Sequence, residues 1–218
     1  MQPKIYNNLR RIYIKLRRKW TILDNMERVD DIVTKQGGVI SYHKRFHENE
    51  YRRALRAEKK GRLVRVRSGV FALPFAFMDA MIDVEAVVPG GVVCLYNAWA
   101  FYGLTMVTPP TFCIAIDAKR KIVFTQKQLI TLYYWNEQSL TLGVEDVEYS
   151  SHRVRMTNAE RSVCDAVRYR NKIGEDLCLE IIRNYLKRPD RKIGLMMEYA
   201  KALRVGRILG NYLNILME

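Results

Sequence analysis

The chain has 218 residues, 49% of them hydrophobic and 28% charged, with 37 Lys and Arg against 23 Asp and Glu for a formal net charge of +14. Those proportions exclude a wholly disordered chain, a collagen-like fibre and a disulfide-stapled miniprotein, and at roughly 100–200 residues per domain the length suits one large domain or two small ones. The charge is segregated: residues 1–67 hold 19 Lys and Arg against 7 Asp and Glu, net +12, and residues 68–218 hold 18 against 16, net +2. The first third is a polyanion-binding candidate, and the rest is electrostatically ordinary.

Residues 4–20 read as a basic amphipathic helix. Ile5, Leu9, Ile12, Leu16 and Trp20 recur at helical spacing, and Lys4, Arg10, Arg11, Lys15, Arg17, Arg18 and Lys19 fill the other face. It can pack on the next domain, meet nucleic acid or lie on a membrane surface, and nothing else in the chain asks for lipid. A second helix is expected over 24–37, capped by Asp24 or Asn25 and ended by Gly37-Gly38, with Met26, Val29, Ile32 and Val33 on one face. Ser41 caps a short helix through about Phe46, and Asn49 caps a third that runs to Lys60, where Gly61 supplies the left-handed position. Two alternating segments, 62–66 and 70–73, joined by Arg67-Ser68-Gly69, predict a β-hairpin that Pro74 closes.

Helix, short helix, helix and basic hairpin in about 50 residues is the layout of a winged helix-turn-helix domain. On the third helix Tyr51, Ala54 and Leu55 form the buried face, with Arg52, Arg53, Arg56, Lys59 and Lys60 opposite. A groove-reading helix needs one apolar side to anchor it and long donors on the other. Asn49, Arg52, Arg53 and Arg56 are assigned to the major groove, and Lys44, Arg45, Lys59, Lys60, Arg65 and Arg67 to phosphates. An ordinary solvated helix explains one charged face by itself; the hairpin and the +12 region together favour duplex DNA.

No charged residue occurs over 86–116, yet Pro89-Gly90-Gly91 and Pro109-Pro110 break the run and argue against a membrane span. A buried helix over 92–104, ending at Gly103, is expected instead. Strands are expected over 111–117 and 122–124 and within 129–135 and 147–156. Thr157 with Glu160 reads as a capping box opening a helix through about Arg170, and further helices cover 175–187, 190–204 and 207–217, with Pro189 separating the first two. The fold class expected is α+β: a basic helix over 1–20, the winged domain over 21–75, and over 76–218 an α+β domain with a small sheet and a helical C-terminal third.

Cys94, Cys113, Cys164 and Cys178 lack metal-finger spacing, and with no secretory signal read before them they are expected as buried, reduced thiols in a cytoplasmic protein. His43 and His47 have no framing ligand set, so neither a metal nor a cofactor is expected. The best enzymatic constellation is Asp117-Ala118-Lys119 with Asp79, Asp83 or Glu85, imitating a Mg²⁺-dependent nuclease; a strand ending in a polar turn explains the same residues. Cys164 beside Asp165, with His152 a strand away, reads as a core cysteine, and Glu160, Arg161 and Asp165 as an ion network. The glycine pairs at 37–38 and 90–91 lack phosphate-loop spacing. The sequence is not expected to encode an enzyme.

Three segments in order resemble the AbiEi family, antitoxins of bacterial type IV toxin–antitoxin (abortive infection) systems. Residues 61–74 are similar to its Gly-x-Leu-x-Arg…Gly-Val-Tyr wing, with Phe71 in place of Tyr; 97–105 to its Ser-Ala-Leu-Ala-x-x-Gly-Leu-Thr segment, with Asn97 for the small hydroxyl and Trp99 for the aliphatic; and 157–165 to its Thr-x-x-Glu-Arg-Thr-x-x-Asp. The resemblance covers about residues 25–215 and leaves the 1–20 helix outside. It implies a winged-helix repressor of its own promoter that binds inverted repeats. Its C-terminal domain would support cooperative repression and oppose a nucleotidyltransferase toxin without necessarily forming a stable complex. The residues alone also leave open a nuclease using Asp117 and Lys119, a nucleic-acid-binding regulator unrelated to a toxin, and a binding module for RNA or a basic scaffold for a protein partner.

Overall fold

The computed structural model describes residues 33, 38–42, 48–74, 83–107, 111–124, 130–149 and 152–217. Contacts divide the chain into two units, 1–82 and 83–218. The described residues form a mixed α+β structure of eight helices and two small sheets.

In the first unit β1 (Val39–Ser41), α1 (Glu48–Lys59), β2 (Val64–Arg67) and β3 (Val70–Ala72) follow in order, and the strands form an antiparallel sheet ordered β1-β3-β2. Tyr51, Ala54 and Ala57 recur at helical spacing and bury one side of α1 with Ile40, Leu63, Phe71 and Leu73. Tyr51 meets Phe71 edge-on at 5.8 Å. Gly61 closes α1 at φ +72, donating to Glu58 O while Arg62 donates to Ala57 O, the paired bonds of a Schellman cap. Gly69 turns the hairpin at φ +79, where a Cβ would stand 2.8 Å from Tyr42 O.

Two expected caps are corrected here. Ser41 ends a strand, because Val39 and Ile40 find β3 as a partner and Ser41 pairs with Val70. Asn49 lies inside α1, which begins at Glu48. Of the helix expected over 24–37, Val33 is described: it is helical and buried, and its carbonyl accepts from Gly38 N at 2.8 Å. The rest of that helix, the 1–20 helix and residues 43–46 of the expected short helix lie outside the described residues.

The second unit runs α2 (Val84–Val87), β4 (Val92–Val93), α3 (Tyr96–Phe101), β5 (Phe112–Asp117), β6 (Ile130–Trp135), α4 (Glu137–Thr141), β7 (Val144–Tyr149), β8 (His152–Thr157), α5 (Ala159–Ile173), α6 (Glu175–Leu186), α7 (Ile193–Ala202) and α8 (Gly206–Met217). The sheet is mixed, ordered β6-β5-β4-β8-β7, with β4–β8 and β5–β6 parallel. The last three helices, α6, α7 and α8, pack around α5, and its buried Val163, Cys164 and Val167 share a core with Trp99, Ile181, Tyr185, Met196 and Leu209. No helix among the described residues is long and apolar enough to cross a membrane.

The helix expected over 92–104 opens as the strand β4, since a continuous apolar run suits a buried strand as well as a helix. Residues 122–124 form no strand; Val123 is 70% exposed. Residues 147–156 resolve into the antiparallel pair β7–β8. The expected capping box moves by one residue. Thr157 still pairs as the end of β8, and Asn158 caps α5 by accepting from Arg161 N at 3.0 Å, leaving Glu160 to accept from the Tyr185 hydroxyl.

Inside this unit Arg161 and Asp165 are fully buried and paired at 3.0 Å. Removing one partner of such a pair leaves an uncompensated buried charge, whereas replacing both with apolar groups is often neutral. Arg161→Ala is therefore expected to cost about 3–5 kcal/mol in urea unfolding, and Arg161→Met with Asp165→Leu to regain most of it. A single variant as stable as the parent would contradict the burial.

Candidate nucleic-acid interface

The candidate interface is built on α1. With Tyr51, Ala54 and Ala57 turned inward, Arg52, Arg53, Arg56 and Lys59 stand exposed on the helix and Lys60 on the turn that follows it. Arg52 Nη2 pairs with Glu48 Oε1 at 2.7 Å one turn earlier, with both side chains more than half exposed. Exposed pairs of this kind contribute about 0.2–1 kcal/mol, so an incoming phosphate can displace the carboxylate. Arg56 Nε donates to Arg52 O at 3.3 Å. Asn49 is exposed on the first turn between Glu48 and Glu50. Burial raises the Tyr42 hydroxyl pKa, Glu50 adds to the shift and Arg53 opposes it, which places these groups within electrostatic reach of one another.

On β2, Arg65 and Arg67 are both half-buried. Arg65 Nη2 donates to the Tyr51 hydroxyl at 3.2 Å, and its Nε is buried without a partner. The hairpin arginine is therefore docked on the helix, a tie that sequence spacing did not reveal: the Tyr51 ring belongs to the apolar face, and its hydroxyl reaches the hairpin. A bulge between Arg65 and Arg67 shifts the register against β3. Lys44 and Arg45 lie outside the described residues.

The described acids of the nuclease-like constellation each accept a local backbone hydrogen bond. Asp117 Oδ1 accepts from Lys119 N at 2.7 Å, Asp83 Oδ1 caps α2 by accepting from Ala86 N at 3.0 Å, and Glu85 Oε2 accepts from Gly90 N at 2.7 Å. Asp79 lies outside the described residues. Among the described residues no group of three or more His, Cys, Asp or Glu is arranged to hold a metal ion.

All four cysteines are buried and unpaired by disulfides. Burial pushes the Cys113 thiol to about 11 and the Cys164 and Cys178 thiols to about 12, and raises Cys94 well above its ordinary value. Cys164 Sγ donates to Met196 O at 3.3 Å, and among the described residues no hydrogen bond joins it to His152.

No protein-family model and no curated protein matches the chain.

Raised thiol pKa values keep the sulfurs protonated at pH 8, and thiolate is the reactive form. Dithiobisnitrobenzoate at pH 8 is expected to leave all four thiols untouched in the native chain and to titrate four after unfolding in guanidinium. A thiol that reacts within the mixing time in the native state would mark a reactive cysteine.

Proposed function

We propose that this protein is a sequence-specific duplex-DNA-binding repressor of its own promoter and the antitoxin of an AbiEi-type system, with the first unit acting as a winged helix-turn-helix. The observation that carries the reading is α1 and the turn that ends it: four exposed cations of the helix, Arg52, Arg53, Arg56 and Lys59, followed by exposed Lys60, stand opposite a face buried on the sheet, beside a hairpin arginine tied to the same helix through Tyr51. A rigid helix with long donors on its open side can enter a major groove, and a basic hairpin can follow the flanking phosphates. The net +12 over residues 1–67 supplies the attraction that brings such a surface to a polyanion.

Arg53 and Arg56, with Arg52 once released from Glu48, and Asn49 are the base-reading candidates; Lys59, Lys60, Arg65 and Arg67 would hold phosphates, with Lys44 and Arg45. Opposition to a nucleotidyltransferase toxin rests on the three resembling segments alone and belongs to the second unit. Binding to inverted repeats fits the same reading, because two copies on one site double the phosphate contacts. Neutralising about 6–10 phosphates gives an affinity that falls about 10³–10⁵-fold between 50 and 200 mM salt.

The test is a gel-shift titration against the upstream region of the gene, with scrambled duplex as competitor and salt varied. Arg53→Ala is expected to lose about 1–3 kcal/mol of discrimination at one base position. Lys59→Ala should weaken all sequences alike and lower the salt slope by about 1. Equal weak binding to specific and scrambled duplex, unaltered by Arg53→Ala, would leave only a generic basic surface.

A further inference from the structure

The net +2 over residues 68–218 conceals a second concentration of charge. Residues 183–207 hold 8 Lys and Arg against 2 Asp and Glu, net +6, so the rest of that stretch is net −4. Some of these cations are committed within the fold: Arg188 pairs with Asp190 at 2.8 Å and donates to Tyr102 O at 2.7 Å. Three others converge on a groove of about 640 Å³ formed by α7 and the start of α8, with Lys201, Arg204 and Arg207 in its lining and Glu198 its one acid. That volume falls within the roughly 300–1,000 Å³ usual for small-ligand sites. The three cations are exposed, and among the described residues their side chains make no hydrogen bond or ion pair. Gly194 and Met197 complete one wall, and no aromatic ring lines the groove.

Arg204 has a conformation that its turn does not need an arginine to adopt. Three helices close with the same pair of bonds: Arg62 N to Ala57 O with Gly61 N to Glu58 O, Leu104 N to Trp99 O with Gly103 N to Ala100 O, and Val205 N to Ala200 O with Arg204 N to Lys201 O. The left-handed residue is glycine in the first two, at φ +72 and +65, and Arg204 at φ +60 in the third. Glycine takes that conformation without the steric cost that a Cβ brings. The turn alone therefore gives no reason for an arginine, whereas the groove beside it does.

We propose that this groove is a phosphate-binding site, in which Lys201, Arg204 and Arg207 take the oxygens of a phosphate chain. The chain belongs either to a free polyphosphate or to a nucleic-acid backbone; with no ring to stack a base, the groove recognises phosphate rather than sequence. The inference stands apart from the DNA reading of the first unit, since none of its residues lies there.

The experiment uses the full chain and two probes, inorganic tripolyphosphate by titration calorimetry and an unrelated 20-base-pair duplex by gel shift. Arg204→Gly, Arg207→Glu and Arg53→Ala are compared with the parent, and urea midpoints check the fold. The proposal expects Arg204→Gly to keep or raise the midpoint and to weaken the phosphate probe about tenfold or more, the loss of one charge-assisted contact. Saturable tripolyphosphate binding, weakened by Arg204→Gly and Arg207→Glu but not by Arg53→Ala, identifies a free phosphate chain as the ligand. Failure of tripolyphosphate to saturate, with duplex affinity and salt slope reduced by the two groove variants, identifies the nucleic-acid backbone. Groove variants that alter neither probe, or tripolyphosphate binding abolished by Arg53→Ala alone, overturn the proposal; neither result depends on whether the first unit reads sequence.

Discussion

A guanidinium placed where no water reaches it needs acceptors from the chain, and the second unit supplies them to two of the three nitrogens of Arg161, leaving Nη2 without a hydrogen-bond partner among the described residues. Its Nε donates to Asp165 Oδ1 at 3.0 Å, and its Nη1 to the carbonyls of Ser139 and Leu142 at 3.0 and 2.7 Å. The guanidinium lies 4.7 Å from the centre of the Trp135 ring, whose Nε1 donates to the Tyr169 hydroxyl. One side chain thus joins α5 to the end of β6, to α4 and to the turn before β7. Lysine could not replace it, because an ammonium is a point donor that sheds its proton when buried, while the planar fork reaches several acceptors at once. The geometry also dictates Gly143: at φ +62, a Cβ there would stand 2.7 Å from Arg161 Cβ and 2.9 Å from the Tyr199 ring. Gly143 O in turn accepts from Asn158 N, so the turn that Arg161 grips holds the cap of Arg161's own helix. Burial raises the Asp165 carboxyl pKa and Arg161 draws it back down, the balance expected of a charge kept in the core by its partner.

This arrangement bounds what the resembling segments of the second unit can carry. Thr157 Oγ1 meets Ser162 Oγ at 3.1 Å, Glu160 receives the Tyr185 hydroxyl, and Arg161 and Asp165 are the buried pair. Asn97 Oδ1 accepts from Cys113 N at 2.7 Å, finishing the β4–β5 edge that the ladder leaves open, and Trp99 Nε1 donates to Ser162 O at 2.9 Å, tying α3 to α5. Gly103 turns out of α3 in the left-handed region. Every one of these side chains is spent on the scaffold. These contacts build the fold of the second unit itself.

Local signals were legible where one residue type has one geometric use. The apolar face of α1, Gly61 after it and Gly69 at the hairpin tip follow from helical spacing and from the left-handed region that glycine favours, and the four C-terminal helices follow from their spacing and from Pro189. Caps failed where two neighbours could each serve. Ser41, Asn49 and Thr157 all carry side-chain acceptors suited to a helix start, but the backbone decides: Asn158, at φ −68 and ψ 173, is the residue already turned out of the helix. Val92-Val93-Cys94-Leu95 is apolar throughout, so no period separates strand from helix. Contacts across sequence distance, such as Tyr51 with Arg65 or Trp135 with Arg161, left no trace in spacing. The basic groove was hidden by averaging, since a near-neutral sum over 151 residues absorbed a +6 stretch of 25.

Charge on α1 has two physical origins that can be separated. Glu48 and Glu50 in the first turn and Arg56 and Lys59 in the last complement the helix dipole, each worth about 0.3–1 kcal/mol, and the Glu48–Arg52 pair has the favourable order of acid before base. Helix stability alone accounts for those positions. It does not account for Arg52 with Arg56, Arg53 with Arg56, or Arg56 with Lys59 and Lys60, which set like charges three or four residues apart at a cost of about 0.2–0.5 kcal/mol each. Arg56 takes part in all four, and alanine there would relieve them with no packing lost because its side chain is exposed. A helix shaped only for its own stability would carry that relief. The proposed nucleic-acid interface gives this crowding a use: an anion arriving from outside the chain would turn the repulsion into attraction.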